Sequence, residues 1–188
     1  MKIHSSLAGL TLCCTLAAST LAFGQAAKPD TPPPGTKMSP SETYSKLLGN
    51  FEKEIVDAAE AMPEDKFNFA PTQGEFKDVR SFAAQVKHLA QANYYFWGSF
   101  AGSSPEASAP ITKLTSKADI VKALKDSFAL PHKAIDSMTP DNAFVMTKSG
   151  TLAGMTAFGL AHMMDHYGQM VVYLRMNGIV PPASRPKT

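Results

Sequence analysis

The chain has 188 residues, 44% of them hydrophobic, with a formal net charge of +2. That length supports one domain plus extensions and a real core. Near-neutral charge without any Lys/Arg cluster argues against nucleic-acid binding.

Residues 1–24 read as an export signal. Lys2 supplies the positive start, Leu7 to Ala18 the apolar stretch, and Ala22-Phe23-Gly24 a small-residue site before Gln25. Loss of Lys2 with this leader would lower the net charge from +2 to +1. The apolar stretch is short and broken by Ser and Thr, a poor match to the ~20 residues of a membrane span. Leu12 and Cys13 precede the two cysteines where a lipoprotein processing site wants a small residue. The expectation is an exported protein, periplasmic or extracellular, with no stable membrane span once the signal is removed. Both cysteines, Cys13 and Cys14, leave with the leader, which excludes disulfides, thiolate metal ligands and a cysteine nucleophile. Residues 25–40 are a Pro-rich, polar, semi-extended linker without a core to bury.

The folded domain is expected over residues 41–182, with 183–188 as a tail. Ser39-Pro40-Ser41-Glu42 has the form of a capping box with proline at the first helical position. Tyr44, Leu47, Leu48, Phe51, Ile55 and Ala58 then follow a helical period until Met62-Pro63. Glu52, Glu54 and Asp57 on this helix are read as solvated rather than as metal ligands. The connection from Glu64 to Asp78 is irregular, with Phe67, Phe69 and Phe76 expected to pin it down. A second helix is predicted from Val79 to Trp97, with His88 beside its buried stripe and Ala84 and Ala92 leaving room around it. Gly98 to Leu114 reads as loop because of Gly102, Pro105 and Pro110. Ser116, with Asp119 in capping spacing, starts a third helix that Pro131 should kink; His132 after it reads as structural or exposed. The fourth helix is predicted from Leu152 to Asn177, stopped by Gly178 and Pro181-Pro182. Gly154, Gly159 and Gly168 weaken it, and suggest close packing or space for a ligand. No stretch alternates long enough for a sheet, so the fold class is all-α.

His162 and His166 stand four apart in this last helix, one turn above each other on one face. That spacing lets both imidazoles point at one metal ion, although the glutamate that a metalloprotease places beside the first histidine is missing. Helices from distant parts of the chain are expected to bring His88 to this pair. Three neutral imidazoles with open positions describe a catalytic rather than a closed structural site. Imidazoles suit Zn, Ni, Fe or Cu, so the donor set leaves the divalent cation unspecified.

A histidine late in the second helix, His-x-x-x-His followed by Gly168-Gln169, the Pro71 loop and the Tyr173–Pro182 tail together resemble the DinB-like (DinB/YfiT) superfamily. The resemblance spans about Tyr44 to Pro182. It implies an up-down-down-up four-helix bundle, often a homodimer, with a divalent metal (Zn, Ni or Fe) on His88, His162 and His166. Relatives include thiol-dependent S-transferases and isomerases. Tyr167 stands where relatives often have Arg, which puts an anion contact there in doubt. The implied function is a metal-dependent enzyme of hydrolase or thiol S-transferase type acting on a small molecule. Gln169, Tyr95 and Asp165 are candidates to orient a nucleophile. Export favours hydrolysis, because cofactor thiols are kept reduced inside the cell. A non-catalytic metal- or ligand-binding module, and a bundle with coincidental buried histidines, stay open as alternatives.

Overall fold

Ser39 begins the folded part as its spacing predicts. The Glu42 backbone N–H donates to Ser39 Oγ at 3.1 Å, and the Ser39 N–H donates to Glu42 Oε2 at 2.8 Å. Helix α1, Pro40–Ala61, follows this box. Replacing the cap, Ser39→Ala, should cost about 1 kcal/mol. A fall in the urea midpoint with an unchanged slope would show it; no shift would mean that this cap carries no weight.

The computed structural model describes residues 32–186. The export signal expected at residues 1–24 lies outside them, as do Lys187 and Thr188. Residues 32–39 form no helix or strand, and residues from Lys37 onward make up one compact unit. Its further α-helices are α2, Phe82–Ala101; α3, Lys117–Ser127; α4, Ala129–Asp136; and α5, Leu152–Met176. Among the described residues there is no β-strand, only an isolated bridge between Thr147 and Gly150. None of these helices is long and apolar enough to cross a membrane.

Helix α2 begins at Phe82, capped by Ser81, rather than at Val79, and two further boundaries differ from expectation for clear reasons. The third predicted helix is two, because the break falls at Phe128 rather than at Pro131. Proline cannot bond back to the carbonyl four residues earlier and its ring crowds that carbonyl, so the chain restarts and places Pro131 in the first turn of α4. The connection after α2 is also more regular than predicted. Helix α2 runs on to Ala101, Gly102 closes it at φ 79°, and Pro105–Lys113 form a 3-10 helix with Pro110 inside it.

Helix α2 is central, packing on α3, α4 and α5, while α1 covers α5 and α4. Its start is anchored by the preceding loop: the N–H groups of Phe82 and Ala83 donate to Phe69 and Phe67 carbonyls, both at 2.8 Å. Those bonds satisfy donors that a helix start leaves without partners, and they set the register that places His88. Phe67 is buried and Phe69 packs against the core, but Phe76 is exposed and pins nothing inside. Leu47, one of the apolar residues in the helical period of α1, is exposed.

The seam between α2 and α5 is tightest at Trp97, which is fully buried and donates its indole N–H to Thr156 Oγ1 at 3.1 Å. Gly159 faces the indole: a Cβ there would lie 2.4 Å from Trp97 Cη2. Of the three helical glycines in α5, Gly159 therefore serves close packing. Gly168 has open space around it, and Gly154 lies beside the Thr151 cap.

Candidate metal centre

The α2–α5 seam brings together the three histidines that the sequence singles out. Ring centroids are 4.4 Å apart for His162 and His166, 4.6 Å for His88 and His166, and 5.0 Å for His88 and His162. One nitrogen from each ring lies within 4.8 Å of the other two, and the group contains no carboxylate. His166 is buried and the other two are half-buried. The helical period of α5 supplies the pair, and the register of α2 supplies the third ring.

This arrangement is costly without a cation. The ring nitrogens converge, and His162 Nε2 and His166 Nδ1 are buried with no hydrogen-bond partner. Buried polar atoms are normally paired, so two orphaned nitrogens in one cluster fit a cation-binding role. A nitrogen-only donor set suits a divalent transition metal. The three histidines could therefore hold a metal ion.

Burial pushes all three rings toward the neutral form. His88 falls to about 4, chiefly from desolvation, with Arg80, His166 and His162 adding repulsion. His166 also falls to about 4, from desolvation and then His162, partly offset by Asp165. His162 is lowered by burial, against a counter-pull from Asp165. At neutral pH all three rings keep the lone pairs that ligation requires.

Behind the cluster, amides tie α2 to α5. Gln85 Nε2 donates to Gln169 Oε1 at 2.6 Å, and Gln169 Nε2 donates to Asp165 Oδ2 at 3.2 Å. Gln169 and Asp165, candidates to orient a nucleophile, are thus engaged with each other. Tyr95 is exposed at the rim of a cavity of about 570 Å³ that reaches His88 and His162. Ala92, Phe96 and Phe158 wall this cavity, with the polar Gln91 and Ser108 beside them. No Asp, Glu, Lys or Arg lines it.

The other candidates fall outside the cluster. Glu52 pairs with His132 Nε2 at 2.5 Å, and Asp57 pairs with Lys53. Tyr167 turns toward α1, where burial, Glu54 and Asp57 raise its hydroxyl above the ordinary range. An arginine at that position would meet those carboxylates rather than the histidines. The sequence reading missed Phe158, Gln91 and Ser108. Phe158 was within reach, since it precedes His162 by one helical turn on the same face; Ser108 lies on the 3-10 helix and carries no such signal.

No curated protein matches the chain. A family model described as the DinB superfamily matches residues 48–170, more than half of the chain, and spans all three histidines. The chain belongs to the DinB superfamily.

Proposed function

We propose that this protein is a metal-dependent enzyme holding a divalent cation, Zn, Ni or Fe, on His88, His162 and His166. The supporting observation is three neutral imidazoles packed ring to ring, two of them with a buried nitrogen that nothing satisfies. The frame belongs to the same reading: an up-down-down-up four-helix bundle in which α3 and α4 together form the third member.

An ion bound there would supply Lewis-acid polarisation of a substrate oxygen or sulfur. The chain's own part is to hold and to exclude. Desolvation keeps the ligating rings unprotonated, the Gln85–Gln169 bond ties the two helices together, and the buried Phe96 covers the cluster on one side. The cavity reaching His88 and His162 favours catalysis over a closed structural site. Within catalysis, hydrolysis is favoured over thiol S-transfer if residues 1–24 direct export to a periplasm or the exterior, as their pattern suggests. A homodimer rests on the family resemblance alone. The second reading, a non-catalytic binding module, draws on the lack of a carboxylate among the cavity residues, which leaves no ready general base.

Elemental analysis of the purified protein tests the site. About one divalent metal per chain is expected, with loss in His162→Ala/His166→Ala. No metal after reconstitution, with the double variant equally folded, would remove the ligand assignment.

A further inference from the structure

We propose that the cavity beside the histidines takes a small molecule whose body is uncharged and carries an aromatic ring. This rests on reading His88, His162 and His166 as the reactive site, and it names the class of substrate that reaches them.

The walls carry the inference. Phe96 forms edge-to-face pairs with Phe158 at 5.4 Å, with Tyr95 at 5.2 Å and with His162 at 5.2 Å. These rings run from the rim to the metal-binding imidazoles without interruption. Aromatic rings prefer further edge-to-face or offset neighbours, so an entering ring extends the cluster. Tyr95 and Phe158 are 65% and 64% exposed, a large apolar surface left in solvent at the mouth. A volume of about 570 Å³ suits a molecule of ordinary metabolite size.

Charge is excluded by what is absent from those walls. None of the lining side chains is a carboxylate, an ammonium or a guanidinium. An ionic group on the ligand's body would lose water and find no counter-charge. The polar groups present are partly committed already. Ser108 Oγ donates to the Pro105 carbonyl at 2.6 Å, and Gln91 Nε2 donates to Thr112 Oγ1 at 3.0 Å. What remains free is an oxygen acceptor on each and the second amide N–H of Gln91, suited to a neutral hydroxyl or carbonyl on the ligand.

Ligand-observed NMR on the full chain tests this with three single-ring probes: phenethyl alcohol, phenethylammonium and benzenesulfonate. Measurements are made before and after metal removal with EDTA, so that attraction to a cation is separated from the walls. After chelation the alcohol should bind at least about tenfold more tightly than either ion. Phe158→Ser, a change at an exposed position, should weaken the alcohol by about tenfold. Either ion binding as tightly as the alcohol in the chelated protein, or an unchanged affinity in Phe158→Ser, overturns the proposal. Preference for the alcohol in a chain that binds no metal would sink the metal reading and leave this one standing. Metal binding without that preference would do the reverse.

Discussion

Gly159→Ala should destabilise the protein by about 2 kcal/mol, although alanine is the better helix former by about 1 kcal/mol. The added methyl would sit 2.4, 2.6 and 3.1 Å from three atoms of the Trp97 ring. That ring is fully buried, and its N–H is bonded to Thr156 across the same seam, so it cannot withdraw without breaking the bond or opening the core. Gly168→Ala is the matched control: the site is exposed, nothing lies within 4 Å of the new methyl, and the change should stabilise by up to about 1 kcal/mol. Urea unfolding of the two variants should therefore give shifts of opposite sign. Two stabilising shifts would mean that the α2–α5 seam is looser than described. Because Phe96 links Trp97 to His162, with centroids at 5.7 and 5.2 Å, a disturbed indole should also weaken metal retention.

The second large effect is acid lability of the metal-free protein. His88 and His166 are depressed to about 4 in the folded chain, against about 6.5 when unfolded. Between those values the unfolded chain binds more protons than the folded one, so stability falls as the pH falls. It is fully present above pH ~6.5, drains away toward pH ~4 and levels off below, where both states are protonated. Two rings titrating in the same window make the loss readable in a denaturant midpoint, reduced by solvent screening because neither ring is fully enclosed. Denaturant midpoints of the EDTA-treated protein across that window check the sign. His88→Leu, which removes one of the titrating groups, should flatten the profile. A parent profile flat from pH 7 to pH 4 would mean that the rings titrate as exposed histidines do.

The readable and unreadable parts of this chain divide by range of interaction. Capping at Ser39 and Ser116 and the stop at Asn177-Gly178 depend on residues within one turn, and each is found where its spacing puts it. The His162–His166 pair is legible for the same reason, since the helical period alone sets their neighbourhood. Joining His88 to them depends on packing between distant helices, which the small neighbours Ala84 and Ala92 and the family resemblance point to but local spacing does not fix. The cavity walls were beyond reach because they combine α2, α5 and the 3-10 helix Pro105–Lys113, which prolines and Gly102 made to look like loop. Leu47 and Phe76 show the converse limit. Both are apolar, yet each is exposed. The break at Phe128 was misplaced by three residues because proline acts on the carbonyl four positions before it, not on its own.

The indole at the α2–α5 seam has an optical consequence. Trp97 is the single tryptophan in the sequence, so all tryptophan emission comes from one buried site. Its ring adjoins Phe96, which touches the His162 imidazole. A closed-shell ion seated on the histidines would leave that emission bright, whereas an open-shell ion would drain the excited state over so short a path. The protein thus contains its own lamp beside the candidate metal site, able to tell zinc from nickel or iron, were one bound there, without any added dye.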